Sequence, residues 1–142
     1  MNHLWPMPRV IAIDFGLKRT GLAVTDPLRI IATALETVES MKLMDYLKEY
    51  VLKEAVDGFV VGLPSNLDGS ATDITANVHA LVKALRTTFP EKFVETVDER
   101  FTSKMAQHTL LASGKGRMAR REKGQIDRIS ATIILQSWMC KV

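Results

Sequence analysis

A single cysteine, Cys140, in 142 residues excludes a disulfide framework. The lone thiol fits a reducing compartment, so a cytoplasmic location is expected. No apolar run approaches the roughly 20 residues of a membrane helix, and no membrane partner is expected. The opening MNHLWPMP has no apolar core behind a basic start, so no secretory leader is expected either. His3, His79 and His108 are scattered, and none has metal-ligand spacing with a cysteine or another histidine. Walker A, G-x-G-x-x-G and G-x-S-x-G patterns are absent. The tripeptide DFG at 14–16 belongs to no protein kinase, because the chain is too short and lacks an H-R-D loop. Aromatic residues make up 6% of the chain and do not cluster. Any nucleic acid should therefore be recognised by backbone and shape, not by stacking on rings.

What is present suits one domain. Hydrophobic residues make up 46% and charged residues 25%, as in ordinary globular chains. We expect an N-terminal extension at 1–8 and a single domain at 9–142, with no repeat or linker. Net charge is +3. Between Gly114 and Arg128, six basic residues (Lys115, Arg117, Arg120, Arg121, Lys123, Arg128) face two acidic ones, Glu122 and Asp127. That segment nets +4, which leaves about −1 for the rest. Such a patch is either a solvated loop or a polyanion site.

Apolar runs at 9–15 and 21–26, joined by a tight turn, read as two strands, and 30–38 as a third. The first connection is too short for a parallel crossover, so an antiparallel meander is expected. Met44, Leu47 and Val51 are spaced as in a helix over about 40–54. DGFVVGLP marks a buried strand at 58–62. Ile74, Val78, Leu81, Val82 and Leu85 mark a helix over 73–87, and FVETVD a strand at 93–98. Two more helices are expected at 103–112 and 125–140, the last carrying Trp138 in a core position. Cys140 is expected to pack rather than react. The order β-β-β-α-β-α-β-α-α predicts an α/β fold, a five-stranded mixed sheet flanked by helices. Strands four and five should be parallel, each reached through a right-handed crossover.

On this plan Asp14 ends the first strand, Asp98 and Glu99 end the fifth, and Asp127 opens the last helix beside small residues, Ser130 and Ala131. Ligands of α/β sheets bind outside the carboxyl ends of the strands. Acids gathered there would repel one another unless divalent cations lay between them. Each acid also has a plainer reading. Asp14 could pair with Lys18 or Arg19, Asp98 could cap a turn, Glu99 could pair with Arg100, and Asp127 could complement a helix dipole. Asp26, before a proline, reads as a turn residue.

The segments AIDFGLKRTGLAV, VVGLPSNLDGS, VDERFTS and GQIDRISATIIL, in this order, resemble the YqgF family, also written RuvX. Its members are called Holliday junction resolvases or pre-16S ribosomal RNA nucleases. The resemblance implies a ribonuclease H-like fold and a metal-dependent nuclease. It implies three acids, Asp14, Glu99 and Asp127, holding one or two Mg²⁺ or Mn²⁺ ions, with Asp98 as a possible assistant to Glu99. Lys18, Arg19, Arg100 and Arg128, with Lys115, Arg117, Arg120, Arg121 and Lys123 of the basic loop, would contact nucleic acid. The implied substrates are precursor rRNA or branched DNA, with the ribosome as a further partner and a monomer or weak homodimer as the active unit. Three features depart from the family. Gln125 stands where a lysine is common, the segment ATDITANVHAL after NLDGS is neutral to acidic where many members carry basic residues, and six residues precede Met7. Two rival expectations remain at this point: a nuclease-like module that docks on ribosomal RNA without cutting, and one lobe of an actin-like nucleotide-binding protein.

Overall fold

The computed structural model describes residues 7–63, 73–98 and 123–140. The strands are β1 (Arg9–Asp14), β2 (Arg19–Thr25), β3 (Ala32–Glu39), β4 (Val56–Leu63) and β5 (Phe93–Asp98). The described helices are α1 (Leu43–Lys53), α2 (Asp73–Thr88) and α3 (Lys123–Met139), with a single 3-10 turn, Ser40–Lys42, before α1. The sheet runs β3-β2-β1-β4-β5. β1–β2 and β2–β3 are antiparallel, whereas β1–β4 and β4–β5 are parallel. This is the expected mixed sheet. The helix expected at 103–112 lies outside the described residues.

The strand sequences explain the layering. β1 reads RVIAID, and its four middle residues are fully buried. Strand alternation sends Ile11 and Ile13 to one face and Val10 and Ala12 to the other. On the first face, Leu22, Val24, Phe59, Val61 and Val94 meet Leu43 and Leu47 of α1 and Val78, Leu81, Val82 and Leu85 of α2. The second face is built from smaller residues, Ala23, Ala32 and Val60 among them, against Ala131, Ile134 and Leu135 of α3. Small side chains let α3 lie close to the sheet.

Several boundaries differ from expectation by one to three residues, and those of β3 and β4 have a local cause. β3 begins at Ala32, not at 30, because Ile30 and Ile31 belong to a turn closed by Asp26. The Asp26 carboxylate accepts backbone N–H bonds from Ile30 at 2.5 Å, Ile31 at 2.8 Å and Leu28 at 3.3 Å. These bonds, that from Ile31 foremost, hold the Asp26 carboxyl below its ordinary range. β4 begins at Val56, two residues early, because a bulge intervenes: Arg9 pairs with Val56 but Val10 with Gly58. Asp57, the extra residue, is bound by Arg29 at 2.8 Å. α3 begins at Lys123, two residues before the expected start.

Gly58 supports the Phe93 ring, which stacks on Trp138 with centroids 5.6 Å apart. A β-carbon at position 58 would lie 2.4 Å from two Phe93 ring carbons. Gly58→Ala should therefore overpack this face and destabilise the chain by about 1–3 kcal/mol. Urea unfolding checks this as a lower midpoint at unchanged slope.

Candidate active site

The backbone register lines up one row of residues across the carboxyl end of β1. Asp14 lies opposite Gly21 on β2, and Gly21 lies opposite Thr37 on β3. On the other side Ile13 faces Val61, so the next position, Asp14, comes level with Gly62. Gly62 in turn faces Val97. The row therefore reads Thr37, Gly21, Asp14, Gly62, Val97. Alternation puts Asp14, two residues after Ala12, on the α3 side. It does the same for Gly21, two residues before Ala23, and for Gly62, two after Val60. A partly buried carboxylate thus stands between two positions that have no side chain. With strands about 4.8 Å apart, that opening is about 10 Å across. Sequence reading passed over both glycines. The available signal was a glycine inside an apolar strand, which often marks close approach of a ligand or another backbone.

The turn after Asp14 is held rigidly. A β-carbon on Gly16 would lie 2.4 Å from the Arg19 carbonyl oxygen, so the turn closes only around glycine. Ser40 then ties it to the end of β3. Its hydroxyl donates to the Gly16 carbonyl and pairs with Thr20 Oγ1 at 2.8 Å. Its N–H donates to the Lys18 carbonyl at 2.9 Å. Lys18 is exposed and Arg19 partly buried on this anchored turn.

The second turn of α3 reaches the same row. Arg128 Nη1 donates to Thr37 Oγ1 at 3.3 Å. Ser130 and Ala131 are buried against the sheet, and position 127 precedes them by one helical turn. The side chains of Asp127 and Lys123 lie outside the described residues. So do Glu99, Arg100, Lys115, Arg117, Arg120 and Arg121. Arg128, expected on nucleic acid, spends a hydrogen bond on β3. Asp98 is exposed at the end of β5 and shares the alternation of Val94, which packs on the α1/α2 face. Phe93, Glu95 and Val97 take the α3 face, where Trp138 Nε1 donates to Glu95 at 3.2 Å. Trp138 is half-buried on Phe93, close to the expected packing role. Cys140, by contrast, is exposed just past the end of the helix; the expectation of a packing cysteine is corrected.

Among the described residues no three acids, histidines or cysteines gather as a metal site. The one acid of the expected set with a described side chain is Asp14. Its carboxylate is a hard oxygen donor of the kind Mg²⁺ and Mn²⁺ take, and the flanking glycines leave room for an ion and a phosphate. The residues present fit such an ion. Among the described residues no helix is long and apolar enough to cross a membrane.

The Arg128–Thr37 bond separates two roles for Arg128. Thr37→Val and Arg128→Met should each cost about 1 kcal/mol of stability and leave duplex DNA affinity within about twofold. Urea unfolding and fluorescence anisotropy check this. If Arg128 instead contacts phosphate, its substitution alone lowers affinity and reduces the salt slope by about one.

Residues 8–141 match the RuvX family, described as Holliday junction resolvase. The chain is 47% identical over 133 residues to a pre-16S rRNA nuclease of Porphyromonas gingivalis, covering 94% of this chain and 96% of the relative. It is 45% identical over the same length and coverage to the protein of that name in Flavobacterium johnsoniae. Among solved structures it resembles T. thermophilus RuvC in complex with Holliday junction substrate, with a TM-score of 0.56 and 16% identity. That likeness covers 94% of this chain and 97% of RuvC, and it shows a shared ribonuclease H-like fold.

Proposed function

The chain belongs to the RuvX family, and on that premise we propose that it is a metal-dependent nuclease hydrolysing phosphodiester bonds in structured nucleic acid. Its substrates are the ends of precursor 16S rRNA or four-way DNA junctions, the two named for its relatives and its family. The observation that carries the reading is Asp14. It closes a central strand whose four middle residues are fully buried, on the α3 side, between two glycines and in the row that Arg128 of α3 reaches.

Asp14, Glu99 and Asp127 would hold one or two Mg²⁺ or Mn²⁺ ions, which when bound supply Lewis-acid stabilisation of phosphoryl and leaving-group oxygens. Glu99 is preferred to Asp98 on register. Asp98 shares the alternation of Val94, on the face opposite to Asp14, which favours its neighbour as the ligand. Lys18 and Arg19, on the turn anchored by Ser40, hold the phosphate next to the one being cut. The loop carrying Lys115, Arg117, Arg120, Arg121 and Lys123 adds affinity that falls with salt. Precursor rRNA would bring the chain to the ribosome in the cytoplasm. A monomer suffices for trimming an RNA end, whereas symmetric cutting of a junction needs a two-fold pair.

The test is cleavage of a labelled precursor 16S end and a four-way DNA junction, with Mg²⁺, Mn²⁺ or chelator. Asp14→Asn and Asp127→Asn should cut at least about 100-fold more slowly. Asp98→Asn should stay within about threefold of wild type. Full activity in Asp14→Asn would overturn the site. Binding of both substrates without cutting by the wild type would point instead to a docking module.

A further inference from the structure

Beside the Asp14 turn lies a groove of about 490 Å³ lined by Leu17, Lys18, Arg19, Glu39 and Met41. Its volume is within the range of small-molecule sites. Two of its walls are apolar and unusually open to water. Leu17 is 68% exposed and Met41 87% exposed. They come from different segments, the β1–β2 turn and the 3-10 turn after β3. Ser40 locks those segments together through Gly16, Lys18 and Thr20. The two side chains therefore sit on one rigid floor, which lowers the ordering cost of any ligand they take.

The charge of the groove indicates the ligand class. Lys18 and Arg19 in its lining oppose one acid, Glu39, which itself pairs with Lys42 outside the groove at 3.5 Å. The surplus is positive, as a polyanion requires. Its position is equally informative. Arg19 precedes Gly21 by two residues on β2, and Gly21 lies opposite Asp14. The groove therefore opens about 7 Å beyond Asp14 along the strand direction, or about two base steps of a nucleic-acid strand.

We propose that Leu17 and Met41 form an aliphatic platform that takes one unstacked nucleobase of the substrate strand, beside the phosphate cut at Asp14. This rests on the nuclease reading and adds a substrate preference to it. Apolar side chains, leucine and methionine among them, wedge between bases in other nucleic-acid complexes. Unstacking costs least where a base is already unpaired, as at a branch point or a single-stranded end. The platform thus selects branches and frayed ends over plain duplex without any aromatic ring.

The experiment places 2-aminopurine at successive positions of a four-way DNA junction and of an RNA hairpin with a single-stranded 5′ end. Fluorescence and affinity are read with Ca²⁺, and cleavage with Mg²⁺, for wild type and for the Leu17→Gln/Met41→Gln double variant. Both residues are on the surface, and circular dichroism checks that the variant is folded. The expected result is a fluorescence rise within about two nucleotides of the cut in the wild type. The variant should lose that rise. It should bind both branched and frayed substrates about tenfold more weakly, with duplex affinity and salt slope unchanged. A rise in one substrate alone identifies it as the ligand and supports the platform. Equal fluorescence and affinity in wild type and variant overturn it, as does a wild type that gives no rise. A rise lost in the variant, with no Mg²⁺-dependent cutting by the wild type, supports the platform and sinks the nuclease reading alone.

Discussion

An ionised carboxylate at the end of a dry strand is costly unless charge or hydrogen-bond donors meet it. Val10, Ile11, Ala12 and Ile13 are all fully buried, and the strand then delivers Asp14 to the sheet end. That constraint organises its neighbourhood. β1 is the middle strand of five, so elements converge on its end from both sides. Ser40 stiffens the turn that follows, and Arg128 holds the second turn of α3 to the same row of the sheet. In the proposed nuclease a cation and a phosphate complete the arrangement.

The two glycines beside Asp14 express the same requirement in a different form. A strand-interior glycine costs roughly 0.5–1 kcal/mol relative to alanine. Gly21 and Gly62 both sit beside the one acid, where valine would pack and stabilise the sheet. Stability is surrendered locally, in the row that the proposed nuclease offers to its substrate. β4 carries one more glycine on that face, Gly58 under the Phe93 ring, and the face accepts alanines so that α3 can descend.

The fold was legible because periodicity reports burial directly. The alternating and continuous apolar runs located all five strands, and helical spacing located α1 and α2. Boundaries failed where a side chain overrode the pattern. Ile30 and Ile31 look like strand residues but serve the Asp26 turn, and the Asp57 bulge moved the start of β4. Of the site, Asp14 was legible as an acid ending an apolar run. The sequence did not say which face Asp98 takes; the register puts it with Val94, and Glu99 lies outside the described residues. Arg128 shows the limit of charge counting: composition marks it as a cation, but only coordinates show it bonded to Thr37. Cys140 was misjudged because a residue's usual burial says little once the helix has ended.

The most direct measurement of the central claim is a Mn²⁺ titration followed by electron paramagnetic resonance, on wild type, Asp14→Asn and Asp98→Asn. Wild type and Asp98→Asn should bind Mn²⁺ alike, and Asp14→Asn at least about tenfold more weakly. Unchanged Mn²⁺ binding in Asp14→Asn would contradict the account, and would leave the carboxylate at the end of β1 with a structural role only.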